Sequence, residues 1–148
     1  METQDVRVEI AREADQELVD AFRRMLPQLS SAATPLDLAA LGRILGCETN
    51  TVLVARSADV IVGTLTLVLY PVPSGLRARV EDVVVDHAAR GHGVAGMLTR
   101  EALRLAREAG ARTVDLTSRP ERAAANRLYE RLGFRQREST VYRVPLHG

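Results

Sequence analysis

The chain has 148 residues, enough for one domain and too few for two of usual size. Its composition, 46% apolar and 26% charged, is ordinary for a globular protein, and 20 basic against 19 acidic residues leave a net charge of +1. That balance argues against a nucleic-acid binder, the lack of any run of 18 apolar residues argues against a membrane span, and a single cysteine, Cys47, makes neither an intrachain disulfide nor a thiolate zinc site.

Residues 1–9 are polar and acidic and lack the features of a signal peptide, so the expected compartment is the cytoplasm. Val6–Ile10 alternates apolar and polar residues, as a short strand does. Asp15 can cap a helix carrying Leu18, Val19, Phe22 and Leu26, with Pro27 as its stop and residues 28–33 as a loop. Thr34 and Pro35 then read as a helix start, Leu38, Leu41 and Leu45 as its stripe, and Gly46 as its end. Cys47, just past that end, reads as a small apolar filler rather than a nucleophile. Residues 51–56 and 60–70 are rich in β-branched side chains, with a hairpin turn at residues 57–59. Pro71, Pro73 and Gly75 make the next turn, and residues 76–85 a third long strand.

The period then changes. Residues 94–109 place Leu98, Ala102, Leu105 and Ala109 on one helical face, and Gly110 ends the run. Residues 112–118 read as a strand, 120–132 as a helix ended by Gly133, and 134–138 and 140–144 as two last strands. The predicted order is β-α-α-β-β-β-α-β-α-β-β. That is an α/β (α+β) domain spanning residues 1–148, with about seven strands in a mixed, mostly antiparallel sheet and four helices. Every basic residue is arginine, so no lysine is available for Schiff-base chemistry.

The most informative stretch is residues 80–96, a strand running into a glycine-rich turn that opens a helix. Glycines let backbone amides approach a ligand, the first helical turn presents unpaired N–H groups, and Arg90 adds a full charge. Gly91, Gly93 and Gly96 spell the dinucleotide pattern G-x-G-x-x-G, with Asp115 downstream as the ribose ligand. Against that alternative, residues 86–90 separate strand from glycine, and only 52 residues follow Gly96, too few for a doubly wound sheet.

Arg90, Gly93 and Ala95 also form R-x-x-G-x-A. With Leu128, Tyr129, Gly133 and Phe134 forming L-Y-x-x-x-G-F, 38 residues beyond Arg90, the chain resembles the GNAT superfamily of N-acetyltransferases over nearly its whole length. The place where many members carry asparagine is Arg122, and Asn126 lies one turn closer to Tyr129.

The resemblance implies acetyl-coenzyme A as co-substrate, with no metal. Its pyrophosphate would lie on the amides of Gly91, His92, Gly93, Val94, Ala95 and Gly96 beside Arg90. Its pantetheine arm would pair with the backbone of Val83, Val84 and Val85, at a splayed central pair of parallel strands. Thr117, Ser118, Asn126 and Tyr129 would complete the cofactor contacts. Ser118 has the alternative task of capping the following helix, and the side chains of residues 83–85 read as core.

An attacking amine must lose a proton, and the leaving thiolate must gain or share one. Tyr129 would be the acid by resemblance. For the base, Glu81, Asp82 and a water chain stay open. Alternation puts Glu81 on one face with Val83 and Val85, and Asp82 on the other. His87, His92 and His147 read as surface positions. The acceptor groove would involve residues 26–37, with Ser30, Ser31 and Thr34, and residues 134–144. The expected acceptor is a primary amine of a small molecule, ahead of a protein N-terminus or lysine. The expected assembly is a homodimer, with no nucleic-acid or membrane partner. The alternative from another class is a catalytically silent acyl-coenzyme A sensor.

Overall fold

The β-branched runs of the first 85 residues build the sheet. In a computed structural model, which describes residues 5–30 and 34–147, five strands stand in the order β1-β2-β3-β4-β5. β1 (Val6–Ile10), β2 (Asn50–Ser57), β3 (Val60–Val72) and β4 (Gly75–Val85) are antiparallel, and β5 (Val114–Asp115) joins parallel to β4. The helices are α1 (Gln16–Leu29), α2 (Leu38–Gly46), α3 (Val94–Glu108) and α4 (Ala123–Arg131). The chain divides into two compact units: Met1–Thr117, with the sheet and α1 to α3, and Ser118–Gly148, with α4.

In the first unit the sheet is covered on both faces. Leu53, Leu65, Leu67 and Val80 pack with Leu98 and Ala102 of α3. The alternating residues Val52, Val54 and Val84 pack with Leu18, Phe22 and Met25 of α1 and Leu41 of α2. Gly63 sets the distance between β3 and α3. A Cβ there would lie 3.0 Å from Val94 Cγ1 and 3.2 Å from Leu98 Cδ1, so a larger residue would require these side chains to give by a few tenths of an ångström. The β2–β3 hairpin turns on Ala58 and Asp59, with φ of 49° and 66°. Positive φ at both positions matches the twist of the flanking strands.

Several expectations are corrected. The sheet has five strands rather than about seven, and its parallel pair lies at one edge rather than the centre. Residues 134–147 form no strand; Val141, Tyr142, Val144 and Leu146 stand 70% to 90% exposed. Alternation marks a chain able to pair, but a strand also needs a neighbour to bond. β5 keeps only two of the seven residues expected: Arg112 N–H bonds Leu76 O and Ala78 N–H bonds Thr113 O, each at 2.9 Å, but strand register with β4 holds only at Val114 and Asp115.

α1 continues past Pro27 to Leu29. Within the last turn the missing N–H removes a single bond, and Ser30 N–H still reaches Leu26 O at 2.9 Å. α2 starts at Leu38, not Pro35, because the Asp37 carboxylate accepts from Ala40 N–H at 2.7 Å and caps the helix there. Asp15 caps α1 as expected, accepting from Leu18 N–H at 2.9 Å. Ser31 lies outside the described residues.

Gly63→Ala should destabilise the protein by about 1–3 kcal/mol through overpacking at Val94 and Leu98. Gly42→Ala, inside α2 with its nearest neighbour 4.0 Å away, should instead stabilise by about 0.5–1 kcal/mol. Urea melts of both variants check the opposed signs.

Candidate active site

β4 carries one residue more than β3 opposite it. Thr64 pairs with Val84 and Thr66 with Glu81, so Leu65 alone faces two residues of β4. Asp82 lies in this bulge with φ of 50°, a left-handed conformation in which an aspartate is more at home than a β-branched residue. The extra residue inverts the alternation. Val80 belongs to the α3-side core, and Val83 and Val85 pack on that same side, whereas Val84 packs towards α1 and α2. Glu81 therefore does not share a face with Val83 and Val85, as simple alternation predicts. It lies with Val84 on the other face, opposite Thr66, whose β2 partner Val52 packs with α1 and α2.

The same strand loses its parallel neighbour early. β5 pairs with β4 only at Ala78 and Arg79. Among the described residues no strand pairs with β4 on that side beyond Arg79. The backbone of Val83, Val84 and Val85 thus has one edge with no strand neighbour among the described residues, where only Val85 O is taken, by Arg90 Nε. At the point of divergence Arg79 Nε donates to Glu81 Oε1 at 2.8 Å, and its Nη2 donates to Thr117 Oγ1 at 3.1 Å.

Beyond β4 the chain makes a single 3-10 turn, His87–Ala89, then passes Gly91 and Gly93 at φ of 84° and 77°. A Cβ on either glycine would meet nothing within 4 Å. These glycines are there for backbone conformation and leave open space outside the loop. Gly93 is the N-cap of α3, and the first bond of that helix is Met97 N–H to Gly93 O at 3.1 Å. The N–H groups of Val94, Ala95 and Gly96 precede that bond and have no helical acceptor.

The loop is fastened to α1. Arg24 pairs with Asp86 at 2.8 Å and also donates to Ile61 O at 2.8 Å. Gln28 Oε1 accepts from His87 N–H at 2.8 Å, and its Nε2 donates to Asp86 at 3.3 Å. Arg90 folds back, donating from Nε to Val85 O at 3.2 Å. Arg24, Gln28 and Arg79 were not singled out from the sequence. Arg24 and Gln28 do share one face of α1, four residues apart, but their partners lie about sixty positions away.

In the second unit, the motif around Tyr129 is a helix stop. Phe134 N–H bonds Tyr129 O at 3.0 Å and Gly133 N–H bonds Glu130 O at 3.1 Å, with Gly133 at φ of 102°. This is a Schellman cap, and its usual apolar contact is the edge-on packing of Phe134 against the Tyr129 ring, centroids 5.8 Å apart. So Leu-Tyr-x-x-x-Gly-Phe fixes the orientation of a buried tyrosine relative to its helix end. Burial pushes the Tyr129 phenol above its ordinary pKa, against a smaller lowering by Arg122. Asn126 Nδ2 donates to Arg119 O at 3.0 Å, so its amide serves the turn entering α4. Ser118 does not cap α4: the N-cap is Arg122, and the buried Ser118 hydroxyl has no hydrogen bond among the described residues.

Two carboxylates of the first unit are perturbed in opposite directions. Partial desolvation, then the charge of Glu81, hold Asp82 above the ordinary aspartate range. The Arg24 guanidinium holds Asp86 below it, with Gln28 adding to the effect.

The model of the acetyltransferase (GNAT) family matches residues 15–134. No curated protein matches the chain. Among solved structures, a protein described as a transcriptional regulator from Bacillus halodurans C-125 is 29% identical, with TM-score 0.77, covering 93% of this chain and 99% of its own. An aminoglycoside acetyltransferase from an uncultured soil metagenomic sample, in complex with sisomicin, is 18% identical with TM-score 0.84, covering 98% of each chain. An aminoglycoside N-acetyltransferase in complex with CoA is 20% identical with TM-score 0.76, covering 96% and 97%.

The depressed Asp86 gives a signed pH dependence. Its bond to Arg24 should hold the loop fully above the ordinary aspartate pKa of about 3.9 and be lost as pH falls below it. Amide exchange at residues 86–90, corrected for intrinsic rates, should quicken below about pH 4. In Asp86→Asn it should already be quick at neutral pH and show no such step.

Proposed function

Because the chain belongs to the acetyltransferase (GNAT) family, we propose that residues 1–148 act as one domain that moves an acetyl group from acetyl-coenzyme A to a primary amine of a small molecule. The observation that carries the reading is the edge of β4 beyond Arg79 without a described strand neighbour, followed through the His87–Ala89 turn by the glycines and the start of α3. The residues present suit coenzyme A. An exposed strand edge matches the amides of pantetheine, and the α3 start matches pyrophosphate oxygens. Open space outside Gly91 and Gly93 leaves room for those oxygens at the backbone. Arg90 would add charge there once it leaves Val85 O.

Bound coenzyme supplies an acetyl thioester; the rest falls to the protein. The amine must arrive neutral. Asp82 is the better placed of the two carboxylates to take its proton, because desolvation brings its affinity closer to neutrality. The Glu81 carboxylate is engaged by Arg79 at 2.8 Å and is not free to meet the amine while that pair lasts. As the N–C bond forms and the C–S bond breaks, Tyr129 supplies a proton to the departing sulfur. Its raised pKa keeps that proton on the phenol until it is needed. A small-molecule acceptor is supported by the aminoglycoside-modifying structures of like fold. The second reading, a silent acyl-coenzyme A sensor, is favoured by the description of the Bacillus protein as a regulator.

Calorimetric titration with acetyl-coenzyme A should show micromolar binding, about −8 kcal/mol, and none with NADH. Binding of NADH alone would overturn the assignment. Tyr129→Phe should keep that binding and lose about 10²- to 10⁴-fold in thiol release with an amine acceptor. Binding without turnover by the wild type, over a broad amine panel, would favour the sensor.

A further inference from the structure

Arg79 occupies the last rung of the parallel pair, opposite Asp115, where β4 and β5 part. Its side chain is 37% exposed and links β4 to the segment just after β5, with Nε on Glu81 and Nη2 on Thr117. A guanidinium has five N–H donors. The other three donate to nothing among the described residues. Arg79 also sets the charge of this place. With Glu81, Asp82 and its rung partner Asp115 it leaves two net negative charges, where the three carboxylates alone would present three. A polyamine would gain most from the bare carboxylates. A partly occupied guanidinium is suited to something else, a carboxylate or phosphate taken in bidentate fashion.

We propose that Arg79 binds an anionic group of the acceptor, so that the substrate class is a small amine bearing a carboxylate or phosphate. This rests on the acetyl-transfer reading above. An anion arriving on Arg79 competes with Glu81 for the guanidinium. The freed Glu81 carboxylate then stands beside Asp82 to receive the ammonium end of the same molecule. Glu81 and Arg79 lie two residues apart on one face of β4, so one small molecule can reach both. Arg79 is thereby a specificity residue, and its pairing with Glu81 is the resting arrangement.

The test uses the full chain saturated with coenzyme A, so that the α3 start is already filled. Inorganic phosphate and acetate are titrated at constant ionic strength while the Arg79 Nε–H resonance is followed, assigned by its loss in Arg79→Gln. A saturable shift is expected. In Glu81→Gln, which removes the competing carboxylate, affinity should rise at least about threefold. The two titrations separate phosphate from carboxylate as the preferred group. No shift at Arg79, or no tightening in Glu81→Gln, overturns the proposal.

Turnover supplies the second arm, with acceptors matched except for the anion: β-alanine against β-alaninamide, and O-phosphoethanolamine against ethanolamine. The anionic member should be preferred at least about tenfold in kcat/KM. Arg79→Gln should abolish that preference mainly through KM, and Arg79→Lys should restore part of it. Equal use of both members overturns the proposal while leaving acetyl transfer intact. Failure to bind coenzyme A would instead overturn the acetyl-transfer reading, and the anion titrations without coenzyme would still decide the role of Arg79.

Discussion

One extra residue in β4 governs the geometry of the site. A strand in regular register would carry Glu81, Val83 and Val85 on one face and bury Asp82 with Val80. The bulge at Asp82 shifts the phase, so that Val83 and Val85 join the α3-side core and Glu81 turns to the other face. It also spares Asp82 a place in the apolar core, which its charge could occupy only with a partner. The shift occurs just past the rung where β5 leaves β4. Two features meet at one place: a backbone edge without a strand neighbour among the described residues, and two carboxylates re-aimed beside it.

Arginine does much of the fastening between elements. Arg24 and Gln28 tie α1 to the loop before α3, Arg79 ties β4 to Thr117, and Arg56 joins β2 to Glu9 of β1 and Glu17 of α1. These pairs are partly open to solvent, with the Arg56 and Asp86 side chains 19% and 18% exposed, so screening limits what each adds to global stability. Their effect is positional. A planar guanidinium with several donors can hold two or three groups at fixed angles, as a lysine ammonium cannot. The loop that bears the glycines is consequently held at its entrance by side chains and at its exit by α3, while Gly63 lets the base of α3 sit close on β3.

Motifs whose cause is local could be read directly. Gly93 must be glycine because an N-cap at positive φ permits little else, and Gly133 and Phe134 complete a helix stop whose apolar contact is Tyr129 itself. The four helices, the four antiparallel strands and the Asp15 cap followed from periodicity and capping chemistry in the same way. Features that depend on a distant partner could not be read. Alternation in residues 134–144 promised strands, yet no strand forms there. Residues 112–118 promised seven paired residues, and two are paired. In both cases the pattern states what the chain can do, and the neighbour decides whether it does.

By itself, then, the sequence determined the helices and turns, the glycine-rich helix start and the tyrosine-bearing helix stop, because each rests on contacts within a few residues. The tertiary structure alone decided the bulge, the parting of β4 from β5 and the face on which Glu81 lies. Each of these is set by register against another strand. Register depends on which segments meet, and one residue of slip exchanges every face.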